Sequence, residues 1–309
     1  MKLAIVYDPD CPKLRPLAYS QTYRDMFLAL CERYDEVQKI TKPCSAKDIE
    51  ADHIIFYDIH SSHHIDIDGI ENHEAVKFEY FNDPHQHDFE GTYSNGQKVK
   101  KLGAMKRSKR ANERGVKYVI CPYENGYHKH IAPHFDGELL WFPVAPKPRL
   151  FNVPELKDRA HAVLANGHTW EGLNGFRPYE FRRWAFGRHG LSVAQHSIVS
   201  NTPNGNSYQD FLATFAGALA LCDAYVVPKY LEIPISGCVC FAQYQFEYEK
   251  MGFVDGESCI YVTRKNFDDC IRSFTEDVEG YQAIADKGRQ LILNEWTAKH
   301  FADFVYGTN

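Results

Sequence analysis

Cys238-Val239-Cys240-Phe241-Ala242 carries no charged or amide side chain and is entered through Gly237. A continuous apolar run of this length is expected of a parallel strand covered on both faces. The residues before it, Pro228 to Gly237, read as a polar loop, one short helical turn and a glycine stop. Pro234 is expected in the first helical turn, where its missing N–H costs nothing, and Gly237 in the left-handed position that ends a helix. Lys229 and Glu232 would then project from the helix entrance, the end of an α/β unit where ligands gather. Taken alone, two opposite charges three residues apart are equally a surface ion pair.

The same strand signature recurs along the chain. Leu3 to Tyr7, Asp52 to Asp58, Val76 to Phe81, Lys117 to Pro122 and Glu138 to Pro143 read as strands, and Gln21 to Tyr34 has helical spacing. Pro143, Pro146, Pro148 and Pro154 mark a linker, with a boundary near residue 150. Beyond it Ala160 to Ala165 reads as a strand, Phe176 to Phe186 as a helix and Gln195 to Val199 as a strand. Tyr208 to Cys222 has Phe211, Phe215, Leu219 and Cys222 on one helical stripe, and Ala224 to Val227 reads as a short strand. Ile260 to Val262 follows, Asn266 is expected to cap a helix, and Val278 to Glu295 and the segment after Thr297 read as the last two helices. Strands separated by helix-length segments imply an α/β fold with parallel sheets, here two facing Rossmann-like halves with a cleft between them. The expected domains are 1–150, 151–295 and a final helix, 296–309, that returns to the first.

A net charge of −6 argues against a wholesale nucleic-acid binder. Nine scattered cysteines, an odd number without a C-x-x-C pair, suggest reduced core thiols. The stretch Met1 to Asp8 turns polar too soon for a signal peptide, and no apolar run approaches the roughly 20 residues of a membrane span. The expectation is a cytoplasmic protein, at most peripheral at a membrane surface.

Four constellations bear on chemistry. Asp58, His60, His63, His64, Asp66 and Asp68, with Glu71-Asn72-His73-Glu74, superficially match a metallophosphoesterase, but the intervening Gly-Asp is missing and the two elements lie too close for successive strand ends. A solvated polar loop explains them better, and no metal is expected. Asp83-Pro84-His85, with His87 and Asp88, places acid and imidazole at a strand end, either for general-base work or as a strand-terminating turn. The run from Lys98 to Lys117 holds nine basic residues and one acid, Glu113. As a helix or mobile loop it would meet acceptor phosphates, an anionic membrane or nucleic acid, or be a solvated face; no aromatic between its ends offers base stacking. Arg182, Lys229 and Glu232 together suit a nucleotide sugar, the cations for its diphosphate and the carboxylate for its ribose diol.

Lys229-Tyr230-Leu231-Glu232-Ile233-Pro234-Ile235-Ser236-Gly237-Cys238 resembles the K-(Y/L)-F-E-(I/A)-x-A-x-G-(C/T) segment of group 1 GT-B glycosyltransferases, with the spore-maturation-type proteins as the closest subgroup. Ala285-Asp286-Lys287-Gly288-Arg289 followed by Trp296-Thr297 resembles that family's C-terminal A-x-x-G-R turn and last helix. Asn166-Gly167-His168 followed by Tyr179-Glu180-Phe181-Arg182 resembles its G…Y-P-x-R donor-domain opening. The resemblance spans roughly residues 155 to 305. It implies a glycosyltransferase using a UDP- or GDP-type nucleotide sugar as co-substrate, with no resident cofactor or metal. Gly167, His168, Tyr179, Arg182, Lys229, Glu232, Ser236 and Gly237 would hold the donor, and Asp83, His85 and Glu232 would act in transfer. The acceptor would be a glycan or lipid, or a polyanion such as modified-base DNA met by the basic run. Two departures stand out: the family's upstream carboxylate position is Ala224, with Asp223 off by one, and Asp8-Pro9-Asp10 replaces the glycine-rich acceptor loop. The first keeps a non-catalytic sugar-nucleotide-binding protein open as an alternative.

Overall fold

The computed structural model describes residues 1–16, 21–59, 65–85, 89–92, 98–167, 169, 177–188, 193–196 and 207–309. It divides into two α/β units. One comprises Met1–Arg15, Tyr23–Pro143 and Phe301–Asn309; the other comprises Pro16–Thr22 and Val144–His300.

The first unit opens with β1 (Lys2–Val6), α1 (Thr22–Arg33) and β2 (Glu36–Ile40), followed by β3 (Cys44–Ser45), β4 (His53–Phe56), β5 (Ile67–Asp68) and β6 (Val76–Tyr80). A hairpin of β7 (Phe89–Thr92) and β8 (Lys98–Lys101) leads to α2 (Ala104–Glu113), β9 (Tyr118–Cys121), α3 (Glu124–His130) and β10 (Glu138–Trp141). Six strands form a wholly parallel sheet in the order β10-β9-β6-β4-β1-β2. β4 and β9, buried at every residue, are the continuous apolar runs that two-sided cover demands. β2 escapes sequence reading because it is the edge strand: Glu36 and Lys39 are exposed and only Ile40 is fully buried. The chain's last residues complete this unit. Phe301 is buried against Phe142, with ring centroids 5.5 Å apart, and Arg33 binds Asp303 at 2.6 Å.

The basic run is neither one helix nor a loop. Lys98–Lys101 is the hairpin strand β8, and the rest is largely α2, whose arginines turn inward. Arg107, Arg110 and Arg114 recur at i, i+3 and i+7, one helical face, and converge on Glu79 of β6, which is fully buried. Their Nη atoms lie 3.5–3.8 Å from its two oxygens. Arg107 also donates to the carbonyls of Asp58 and Tyr80 at 3.0 and 3.1 Å, and Arg110 approaches Asp58 at 3.5 Å. Burial lowers the Arg114 pKa, and Glu79 opposes that shift. Such a cluster is sensitive to loss of one member, because the remaining charges stay buried without compensation. Glu79→Gln should therefore cost about 3–5 kcal/mol of stability. Urea denaturation would measure this, and a variant as stable as wild type would refute the role assigned to Glu79.

The second unit runs β11 (Ala160–Asn166), α4 (Glu180–Phe186), β12 (Val193–His196), α5 (Ser207–Leu212), β13 (Phe215–Ala220), α6 (Lys229–Ile235), β14 (Val239–Ala242), α7 (Phe246–Lys250), β15 (Ile260–Tyr261), α8 (Phe267–Glu276) and α9 (Gln282–Glu295). The last helix, α10, is Ala298–Tyr306. Five strands pair in parallel in the order β12-β11-β13-β14-β15. The expected helix over Tyr208–Cys222 is instead a short helix and a strand. Phe215–Ala220 is buried at every residue, and its apolar spacing imitates a helical stripe only because both faces are covered. Ala224–Val227 is loop, not strand, and the Ala285–Arg289 motif lies inside α9 rather than at a turn. No helix among the described residues is long and apolar enough to cross a membrane.

Candidate functional site

In the second unit β11 lies next to the edge, with its successor β12 on one side and β13 on the other. Chain direction around the sheet reverses there, and in open α/β sheets the carboxyl ends of the strands at such a reversal are where ligands bind. Gly167 follows β11 with φ +134°, a backbone conformation that disfavours residues with a side chain. A Cβ at this position would stand 3.0 Å from Arg182 Nη1 and 3.1 Å from Lys229 Cε. The Gly167 backbone thus runs close beside two long cationic side chains, at a φ that favours glycine.

Arg182 is 3 % exposed on α4, donates through Nε to the Leu221 carbonyl at 2.9 Å and stacks over the Tyr179 ring at 4.0 Å. Tyr179 is the residue that enters α4, so the i, i+3 spacing sets this stack. The same helix end is capped by Asp223, whose Oδ2 accepts the Phe181 N–H at 3.1 Å while its Oδ1 accepts from Gln243 at 3.0 Å. The carboxylate that sits one residue from the family position is therefore engaged in structure. Lys229 begins α6 and donates to the Tyr208 hydroxyl at 2.6 Å. Burial pulls the Lys229 pKa down from 10.5 to about 7; Glu232 on the same helical turn opposes the fall, and the positive charge of Arg182 adds to it. Glu232 is itself buried.

The far end of α6 serves packing. Pro234 lies in its last turn, not its first, and the Gly237 and Cys238 N–H groups bond to the Pro234 and Ile233 carbonyls at 2.8 and 3.3 Å. That pair of bonds, with Gly237 at φ +72°, is the left-handed helix stop expected of the sequence. A Cβ on Gly237 would overlap Val153 and Arg159. The Ser236 hydroxyl donates to the Glu232 carbonyl at 2.8 Å, and the Ser236 carbonyl accepts from Arg159 at 3.2 Å. The structure thus brings Gly167, Tyr179 and Arg182 together with Lys229, and leaves Ser236 and Gly237 about 10 Å further along the helix. His168 lies outside the described residues. Tyr208 joins the group without having been expected there, because it fell at the start of the misread helix.

In the first unit Asp83 follows β6 with φ +53°, the one non-glycine residue with positive φ among those described. Its carboxylate accepts from Asn82 at 2.8 Å and faces Lys13 at 3.8 Å. Tyr23 donates to Asn82 at 3.1 Å, and the Lys13 ammonium lies 4.3 Å from the Tyr23 ring centre. Lys13 comes from the loop after β1, so two strand ends supply this cluster. His85 is partly buried two residues on; His87 and Asp88 lie outside the described residues. So do His60, His63 and His64. The His73 Nε2 contacts the Ile49 carbonyl and its Nδ1 accepts the Ala75 N–H, at 3.0 and 3.1 Å. Among the described residues no group of three or more His, Cys, Asp or Glu could hold a metal ion.

No protein-family model and no curated protein sequence matches the chain. Solved structures do. HepE of Anabaena in complex with UDP superposes with a TM-score of 0.59 at 9 % identity, covering 99 % of this chain and 98 % of its own. The DNA-modifying enzyme β-glucosyltransferase gives 0.51 at 13 % identity, covering 98 % and 97 %. TarM gives 0.49 at 13 % identity over 82 % of this chain, which spans only 54 % of the TarM chain. At these identities the likeness is one of fold: two Rossmann-like α/β units, the GT-B architecture.

The Lys229 shift has a consequence for folding that needs no ligand. Between about pH 7 and 10.5 the unfolded chain holds a proton on Lys229 that the folded chain releases, so this residue's contribution to stability rises with pH across that window. Below pH 7 the cost of burying the ammonium is fully present. Lys229→Met should therefore gain most against wild type near pH 6 and lose that advantage towards pH 10. Thermal melts of both proteins across the range would show it; a difference that does not vary with pH would contradict the buried, neutral-leaning lysine.

Proposed function

We propose that the chain is a glycosyltransferase that moves a sugar from a nucleotide-sugar donor to a hydroxyl acceptor. The observation that carries this reading is the convergence of Gly167, Arg182 and Lys229 at the reversal point of the second unit's sheet. Arg182 and Lys229 hold the diphosphate, Tyr179 supports the Arg182 plane, and Glu232 accepts hydrogen bonds from the ribose diol. HepE, which shares the fold, is described in complex with UDP and with UDP-glucose, which supports a UDP-type donor over a GDP-type one. The sequence resemblance supports the spore-maturation-type glycosyltransferases as the subgroup, and no resident metal enters the proposed reaction.

In transfer, the bond between the anomeric carbon and the diphosphate oxygen breaks while the acceptor oxygen bonds to that carbon. Negative charge grows on the departing diphosphate, where two desolvated cations are worth more than they would be in water. A Lys229 that leans neutral in the free protein gains its proton as the anion arrives, so its charge is strongest when the leaving group needs it. The acceptor proton is assigned to Asp83 or His85. The strained backbone at Asp83 fits that assignment, since such conformations persist where a side chain must be aimed.

Glu232→Ala should abolish transfer and weaken UDP binding by about ten- to a hundredfold, the loss of charge-assisted hydrogen bonds worth roughly 1.5–3 kcal/mol. Calorimetric titration with UDP and a donor-hydrolysis assay measure the two effects. A Glu232→Ala protein that binds and turns over nucleotide sugars like wild type would falsify the assignment.

A polyanionic acceptor is the second reading. Lys106 and Lys109 are exposed on α2, and Lys117 is exposed just beyond it. Acceptor binding through them should fall steeply between 50 and 200 mM salt, by roughly tenfold for every one or two phosphates contacted. Salt-independent transfer would leave only an uncharged acceptor.

A further inference from the structure

Asn166 closes β11 immediately before Gly167. It is 2 % exposed, and neither its Nδ2 nor its Oδ1 has a hydrogen-bonding partner among the described residues. Burying an amide with both ends unsatisfied is costly, and native structures keep few such groups. Strand alternation puts this side chain on the face opposite Val163 and Ala165, which join the apolar core with Phe181, Phe267 and Ile271. The core therefore does not account for it. Its neighbour along the chain does point to a ligand, because the next residue is the glycine that lies against both Arg182 and Lys229.

The amide and the cations ask for different partners. Arg182 and a protonated Lys229 offer only donors, which suit phosphate oxygens. Asn166 offers two N–H donors and a carbonyl acceptor. A phosphate dianion can satisfy Nδ2 but has no hydrogen to give Oδ1. A hydroxyl group can do both, accepting from Nδ2 and donating to Oδ1. Next to a diphosphate, the hydroxyl-bearing group at hand is the sugar attached to it.

We propose that Asn166 binds a hydroxyl of the transferred sugar and thereby sets which sugar the site accepts. This rests on the donor-binding reading of the same site. The amide is a specificity determinant: it leaves the diphosphate to the cations and the ribose to Glu232. Its unmet hydrogen bonds in the free protein give the correct sugar its advantage, because a sugar lacking the matching hydroxyl leaves them unmet.

The test compares wild type, Asn166→Ala and Asn166→Leu by calorimetric titration with UDP and GDP and with their glucose, galactose, mannose and N-acetylglucosamine conjugates. The expected result is an unchanged affinity for the free diphosphate, within twofold. The preference among sugars seen in wild type should shrink by about three- to tenfold in Asn166→Ala, the size of one or two neutral hydrogen bonds. Equal loss of free diphosphate and conjugates would show that Asn166 serves the phosphate, ribose or base, and would overturn the proposal. Unchanged sugar preference would overturn it too. A wild-type protein that binds no nucleotide at all would remove the donor-site reading and this assignment with it. A second measurement needs no ligand: Asn166→Leu, which removes the unsatisfied amide, should raise Tm by about 2–4 °C. A lower Tm would mean that the amide stabilises the fold, against the proposal.

Discussion

Buried positive charge is the constraint around which both units are built, and the two handle it differently. In the first, three arginines meet Glu79, with Asp58 beside Arg110, so the charges face one another inside the protein. In the second, Arg182 and Lys229 stand at one glycine with Glu232 on the same helical turn as the lysine, and burial lowers the lysine's affinity for the proton. A desolvated cation can lower its cost in two ways, by a carboxylate in place or by losing its charge. The first makes structure. The second leaves a buried lysine that holds its proton loosely.

This difference separates two features that look alike in sequence. The run from Lys98 to Lys117 is the most conspicuous basic stretch of the chain, yet its arginines at 107, 110 and 114 are absorbed by one buried carboxylate. Arg182 and Lys229 are isolated in sequence, 47 positions apart, and are joined by the fold. Spacing could have separated the arginines from the lysines, since 107, 110 and 114 share a helical face that 106 and 109 leave. The carboxylate of Glu79, between Phe78 and Tyr80 in a buried strand, was the other available sign.

What could be read locally was read. Gly237 stops a helix and Cys238–Ala242 enters a buried strand because backbone handedness and two-sided burial are properties of a few adjacent residues. β13 carries the same signature, an unbroken apolar run from Phe215, but aromatic and leucine residues four apart within it imitate a helix. Length would have decided: six residues fill a strand of this sheet, whereas the fifteen of a helix over 208–222 would have left β14 without the partner that its burial on both sides requires. Asn166 stands out in the sequence only as the residue before Gly167. Nothing in the sequence distinguishes an amide that is hydrogen-bonded from one that is not, so its unusual state is visible only with its surroundings in place.

The resemblance and the geometry divide the segment 229–238 at its middle. Its first turn belongs to the site, since Lys229 touches the Gly167 crossing and Glu232 acts on its charge. Its last turn belongs to the scaffold. Ser236 and Gly237 cap the helix, and Arg159 fixes that end by reaching the Ser236 and Phe215 carbonyls at once. A short helix bound in this way cannot slide along the sheet without breaking those contacts, so the position of Lys229 relative to Gly167 is determined at the opposite end of the helix from the chemistry. The motif therefore places one ammonium, and the glycine and serine within it fix that placement from the far end of the helix.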